Sequence, residues 1–241
     1  MPFIKHKLPC TACGGSDPVS VNENGSGYCF SCCTYLPNYD TTEEKLTDTV
    51  TDFEVYQRNS KMDNNTTATF NELTDRKISL ATAKKYGVKS TMAGGKIDKH
   101  YYPYYNGHEF TGTKIRKQDK EFAWTGSPKE VGLFGENLFK AGGKFITLTE
   151  GECDAMAAYE LMGSKWPVVS IKSGAAGGVR DVKENLEYLE SFDSVVINFD
   201  NDKYGKEAAQ AIAKLLTPKK AKIMTLPVDY KDANDMLRQG R

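Results

Sequence analysis

Between residues 144 and 227, apolar runs of strand length alternate with helical stretches, and this alternation constrains the fold more than any other feature of the chain. "KFITLTEG" reads as a strand and "ECDAMAAYELMG" as a helix closed by Gly163. "PVVSIKSG" and "VRDVKENLEYLESF" repeat the pattern, "SVVINFD" and "YGKEAAQAIAKLLT" repeat it again, and "AKIMTLP" supplies a last strand. Strands separated by helices of this length are joined by crossovers, which produce a parallel sheet covered by helices. An α/β core is therefore expected over residues 141–241, in a chain that is α+β overall.

Open parallel sheets bind ligands beyond the C-terminal ends of their strands, and acids gather at that edge here. "KFITLT" runs into Glu150, and "TEGECD" puts Asp154 one helical turn further on, on the same side. Asp200 and Asp202 follow "SVVINF", and Asp232 follows the last strand in "YKDAND". Acids routinely cap helix N-termini, and one acid per strand end would need no other explanation. Two carboxylates one residue apart repel, however, and support from two further strand ends suits hard oxygen ligands around Mg²⁺, with Mn²⁺ as a substitute. A calcium-binding EF-hand loop is excluded, since its fifth position would be Tyr204 and its twelfth Ala211 in place of glutamate.

The N-terminal segment obeys a different logic. Cys10 and Cys13 form one C-x-x-C, and Cys29 and Cys32 form another after fifteen intervening residues. Two such turns point four sulfurs at one place, the pattern of a zinc ribbon. Disulfides or chance spacing are the competing readings. About 35 residues bury too little apolar surface to fold unaided, so the metal would supply much of the folding free energy. Asn24-Gly25 marks a hairpin turn between the two pairs. Cys33 breaks the spacing and reads as a spare thiol, and Cys153 as a buried structural cysteine. A ribbon can bind nucleic acid, contact protein or brace a fold, and does not by itself choose.

Residues 38–65 are polar, acidic and aperiodic, and read as a linker. After Phe70 a helix is expected from Thr74 or Ser79 to just before Gly87, then a hairpin around Asn106-Gly107. "GTKIRKQDKEF" presents Lys114, Arg116, Lys117 and Lys120, which suit phosphate groups; an edge strand guarded by lysines is the plainer alternative. "IKSGAAGGV" reads as a glycine-rich turn without the Lys-Ser/Thr of a Walker A loop. The formal net charge of +0 conceals an asymmetry, with twelve basic against seven acidic residues over 67–135. That is a modest footprint for a nucleic-acid partner. No apolar run has the roughly 20 residues of a membrane helix, and "MPFIKHKLPC" lacks a signal-peptide core. A cytoplasmic location with no membrane partner is expected. In that reducing compartment the six cysteines argue for metal before disulfides.

Taken together, "CTAC…CFSC", "TKIRKQDKEF", "TEGECDAM", "FDNDKYGKEAA" and "KDAND" resemble the primase half of phage primase–helicases of the T-seven type, over nearly the whole chain. The resemblance implies a zinc-ribbon domain at 1–37, a linker at 38–65 and an RNA polymerase domain. The latter has a basic subdomain at 66–140 and a Toprim subdomain at 141–241. It implies that Glu150, Asp154, Asp200, Asp202 and Asp232 hold Mg²⁺, with Glu150 as ligand or base. It also implies that Lys114 and Lys120 contact nucleotide, with Arg116 and Lys117 beside them on nucleotide or DNA. The expected reaction is synthesis of short RNA primers from ribonucleoside triphosphates on single-stranded DNA. A replicative helicase and a primer-receiving DNA polymerase are the expected partners, in the cytoplasm of an infected bacterium if the gene is a phage's. The family carries Asp and His where this chain has Asn24 and Ser26, so Asn24, Ser26 and Tyr28 are expected to read a different template trinucleotide. The family also continues into a helicase motor beyond "MLRQGR", so the chain is expected to be an excised fragment or a stand-alone primase. Two alternatives stay open: a Toprim nuclease or topoisomerase-like strand cutter, and a non-catalytic zinc-ribbon adaptor on single-stranded DNA.

Overall fold

The computed structural model describes residues 3–12, 19–23, 25–29, 31, 34–36, 39, 67–129 and 131–240. The chain divides into two compact units, residues 1–51 and residues 52–241. Cys13, Asn24, Cys32 and Cys33 lie outside the described residues, as does the expected linker apart from Tyr39.

In the first unit β1 (Phe3–Leu8), β2 (Val19–Asn22), β3 (Gly27–Cys29) and β4 (Thr34–Leu36) form an antiparallel sheet in chain order. The β2–β3 turn falls where the Asn-Gly pair predicts it. Gly25 adopts a left-handed φ of 78°, and its N–H donates to the Asn22 carbonyl at 3.0 Å. Among the described residues, buried Cys10, Val19, Val21 and Cys29 form an apolar cluster, with Leu8, Leu36 and Tyr39 against it.

The second unit contains two four-stranded sheets. β5 (Lys89–Ala93), β6 (Lys96–Asn106), β7 (Glu109–Lys117) and β8 (Phe122–Gly126) form an antiparallel sheet in chain order. β9 (Gly143–Thr149), β10 (Val168–Ser170), β11 (Phe192–Asn198) and β12 (Ala221–Ile223) form a parallel sheet in the order β10-β9-β11-β12. The helices are α1 (Leu80–Lys85), α2 (Glu152–Leu161), α3 (Gly174–Glu184), α4 (Leu186–Glu190), α5 (Lys203–Ala213) and α6 (Ala233–Arg238). Ile146, Leu148, Val168, Val169, Val195 and Ile197 are fully buried, as expected where both faces of a parallel sheet are covered. Leu73, Ile78, Tyr102, Tyr104 and Phe134 share one apolar cluster with Met156 and Val168. Apolar packing therefore joins residues from the antiparallel sheet to residues from the parallel sheet.

Two local expectations are corrected and two strands are added. β5 and β8, which flank the expected hairpin, carry no clear alternation and go unmarked in the sequence. "GAAGGV" is not a turn but the opening of α3. Gly178 packs closely there, since a Cβ on it would lie 2.9 Å from Ile171 Cδ1. The single helix expected over "VRDVKENLEYLESF" is broken at Asn185 into α3 and α4. Among the described residues no helix is long and apolar enough to cross a membrane.

Candidate active site

Four of the five acids line one open cleft of about 1680 Å³ in the second unit, as do Lys114, Arg116, Lys117 and Lys120. Glu150 stands just past β9, where its Oε1 accepts the Ala175 N–H of α3 at 3.1 Å. Its other oxygen is buried with no hydrogen-bond partner. Asp154, in the first turn of α2, accepts the Asn234 N–H at 3.1 Å. Asp200, just past β11, is ion-paired to Lys231, whose Nζ also lies 3.7 Å from Asp232.

Asp202 and Asp232 also act as helix caps. Asp202 accepts the Gly205 N–H at 2.9 Å and caps α5, and Asp232 accepts the Asp235 N–H at 2.7 Å and caps α6. Asp202 is exposed and is not among the residues lining the cleft. Gly205 fixes the relation of this pair. A Cβ there would sit 2.3 Å from the Asp200 carbonyl oxygen, so only glycine lets the first turn of α5 close onto the strand end.

The acids influence one another although they come from different strand ends. Burial pushes the Asp154 carboxyl well above the usual range, and the charges of Asp232, Cys153 and Asp200 push further. Burial also raises Glu150, reinforced by Asp200. Asp200 is raised by burial even though Lys231 opposes the shift. Among the described residues no three His, Cys, Asp or Glu side chains converge on a metal position as they stand. The donors nevertheless suit a hard divalent cation such as Mg²⁺ or Mn²⁺, being carboxylate oxygens with one buried oxygen of Glu150 unsatisfied.

The basic residues behave differently from one another. Lys114 is 8% exposed; its Nζ donates to Glu152 Oε1 at 2.7 Å and to the Lys172 carbonyl at 2.8 Å, and stands 4.7 Å from the Phe122 ring centre. The ammonium expected to meet nucleotide is thus already held by protein. Arg116 directs Nη1 towards Cys153 Sγ at 3.6 Å. Lys117 pairs with Glu121 at 2.7 Å on the exposed end of β7. Lys120 follows in a left-handed turn residue, φ 64°, and is exposed.

Several residues here escaped sequence reasoning. Glu152 is 5% exposed and accepts the Tyr104 hydroxyl at 2.7 Å as well as Lys114. Lys172 reaches Glu184 at 3.0 Å, and Asn234 ties α6 to the Arg76 carbonyl at 2.9 Å. Buried His100 meets Asp75 at 3.1 Å and the Tyr102 hydroxyl at 2.8 Å. Burial works against its charge, but the hydrogen bonds and charges of Asp75 and Cys153 together prevail, and its pKa rises to about 9. The available signals were the position of Lys231 beside an acid in "YKDAND" and the second glutamate of "TEGECD". Cys153 is buried, as expected, 3.2 Å from the Tyr102 hydroxyl.

In the first unit Cys10 and Cys29 are both buried, and the Ala12 N–H donates to Cys10 Sγ at 3.4 Å. Ser26 is 2% exposed and accepts from the Asn22 amide at 3.1 Å, while Tyr28 is half-buried on β3.

Residues 147–237 match the Toprim-like family. The crystal structure of the primase fragment of the bacteriophage T7 primase–helicase protein superposes with a TM-score of 0.68 at 30% identity, covering 99% of this chain and 96% of that one. The chain belongs to the phage primase family. A second T7 structure shows the lagging-strand DNA polymerase interacting with primase domains of two gp4 subunits, bound to an RNA/DNA hybrid and dTTP. It covers 72% of this chain and 87% of that chain at 34% identity, with a TM-score of 0.64. The DNA helicase/primase of Enterobacteria phage T3 is 34% identical over 244 residues, which is 97% of this chain and 41% of that protein. This primase-family chain thus spans about two-fifths of its length. The parallel sheet with its acid-bearing edge is the Toprim part of the family's architecture.

Proposed function

We propose that this chain is a DNA primase that joins ribonucleoside triphosphates into short RNA primers on single-stranded DNA at a replication fork. The observation that carries this reading is the bipolar cleft, where Glu150, Asp154, Asp200 and Asp232 share one lining with Lys114, Arg116, Lys117 and Lys120. Joining requires a primer 3′-hydroxyl held in line with the α-phosphorus of the next triphosphate while pyrophosphate leaves. Glu150, Asp154, Asp200 and Asp232 would hold Mg²⁺, with Asp202 at the edge of the set. The bound ion would supply charge neutralisation for the α-phosphate of the transferred nucleotidyl group and for the leaving pyrophosphate.

The chain's own residues supply position and counter-charge. Lys120, Arg116 and Lys117 face the phosphates, with Lys120 the most accessible on its turn. Lys114 acts from within the wall, anchoring the Glu150–Glu152 turn through Glu152. Cys10, Cys13, Cys29 and Cys32 would hold Zn²⁺ in the ribbon, and buried Cys10 and Cys29 with the Ala12 amide-to-sulfur bond support that reading. Asn24 and Tyr28 are assigned to template reading, with Ser26 bracing the turn from inside. A replicative helicase and a receiving DNA polymerase are the proposed partners, as the names of the phage relatives suggest.

Incubation with single-stranded templates, labelled ribonucleotides and Mg²⁺ tests the reading. Short template-dependent RNAs are expected. Shortened template would instead identify a Toprim strand cutter, and neither product would identify a single-stranded DNA adaptor.

A further inference from the structure

The acid edge carries a cation of its own. Lys231 Nζ is ion-paired to Asp200 and lies 3.7 Å from Asp232, beside two of the carboxylates assigned to the divalent cation. Its main chain is fixed independently of that ammonium. The Lys231 carbonyl accepts the Asn201 N–H at 2.7 Å, and its own N–H donates to Asp235 at 3.2 Å. The Asn201 amide further holds the Leu226 and Tyr230 carbonyls, each at 3.3 Å. The backbone around Lys231 is therefore pinned to the β11 end, while the side chain, 61% exposed, retains room to move.

An ammonium and a divalent cation cannot share the same carboxylate oxygens without strong repulsion. A lysine side chain reaches about 6 Å from its Cα on a flexible four-carbon stem, so it can leave these oxygens without disturbing the backbone. We propose that Lys231 is a tethered counter-ion which competes with the divalent cation for Asp200 and Asp232, and is displaced into the cleft when the cation binds. This rests on the metal-binding reading of the acids given above. It accounts for the placement of the Lys231 ammonium on Asp200 and beside Asp232, at two strand ends that carry candidate ligands. Charge in the cleft is then exchanged rather than simply added. Each cation that enters frees an ammonium beside the place where phosphate must sit.

The test measures binding without turnover, in the zinc-loaded 241-residue chain without nucleotide. Free Mn²⁺ is followed by its electron paramagnetic resonance signal for wild type, Lys231→Met, Lys231→Gln, Lys231→Arg and Asp200→Asn. Both neutral variants are expected to bind Mn²⁺ about tenfold tighter than wild type, because one like charge is removed from the site. Lys231→Arg keeps the charge and should stay within about twofold of wild type, and circular dichroism should show every variant folded. Unchanged or weaker Mn²⁺ binding in the neutral variants, with weakened binding in Asp200→Asn, would overturn the counter-ion role and leave the metal site standing. Equal binding by Asp200→Asn and wild type would overturn the metal-binding reading itself.

Discussion

Glu152 and Lys114 meet 2.7 Å apart, the acid at the start of α2 beside the parallel sheet and the lysine in the middle of antiparallel β7. Both side chains are nearly inaccessible, and the Tyr104 hydroxyl completes the acid's coordination at 2.7 Å. Glu152 is two residues from Glu150, so this pair fixes the turn that carries a candidate ligand.

Breaking one partner leaves an uncompensated buried charge, which typically costs about 3–5 kcal/mol. Lys114→Met and Glu152→Leu should each lower stability by that order in urea denaturation and abolish primer synthesis. The Lys114→Met/Glu152→Leu double variant should recover much of the stability, because neither charge is then stranded. Recovery of stability without activity is the expected outcome for a pair that positions the site. A double variant no more stable than either single one would show that the two do not act as a pair.

Asp202 separates two roles that its position combines. Serine caps helices about as well as aspartate, whereas alanine costs about 1 kcal/mol. Asp202→Ser should therefore keep the melting temperature near wild type and Asp202→Ala should lower it. If the carboxylate also serves the metal, both variants lose nucleotide joining by about two orders of magnitude or more. Full activity in Asp202→Ser at saturating Mg²⁺ would reduce the residue to a cap.

His100 provides a pH signature. Its folded pKa of about 9 lies above the ordinary 6.5, so the stability it contributes is complete below about pH 6.5 and is lost as pH rises through about 9. Asp75 is 40% exposed, and solvent screening reduces the expected loss to about 2 kcal/mol. Proton NMR should show one of the three histidines titrating near pH 9. Asp75→Asn should move that midpoint down towards the ordinary value and flatten the pH dependence of unfolding. A midpoint unmoved by Asp75→Asn would place the cause elsewhere.

The sequence disclosed the Toprim-like sheet because both of its requirements are local. Runs such as "KFITLT" and "SVVIN" are apolar enough to be buried on two faces, and each is followed by a recognisable helix. The acids at strand ends followed from the same reading. What escaped it depends on long-range pairing. Glu152 finds Lys114 across 38 positions, and Lys231 finds Asp200 across 31, so no local pattern announces either contact. The glycine-rich start of α3 was misread because glycine disfavours helix in isolation. At Gly178 the helix packs closely on Ile171, a contact that no local pattern announces.

The last expectation concerns the separability of ribbon and polymerase units. The second unit has two apolar clusters of its own and two four-stranded sheets, one of them parallel, and its buried residues pack against one another. Residues 67–241 should therefore fold alone, with native circular dichroism and a cooperative melt. That fragment should retain metal-dependent joining at high nucleotide concentration and lose sequence-specific initiation, since the proposed template-reading residues lie before it. A 28-residue linker of the composition of 38–65 would span roughly 30 Å, enough for one chain's ribbon to serve a neighbour's active site. Adding the 241-residue chain with Asp200→Ala to the fragment should thus restore some initiation, with the ribbon from one chain and the acids from the other. Folded fragment without rescue would confine the ribbon to its own polymerase unit, and an unfolded fragment would show that the ribbon belongs to the core.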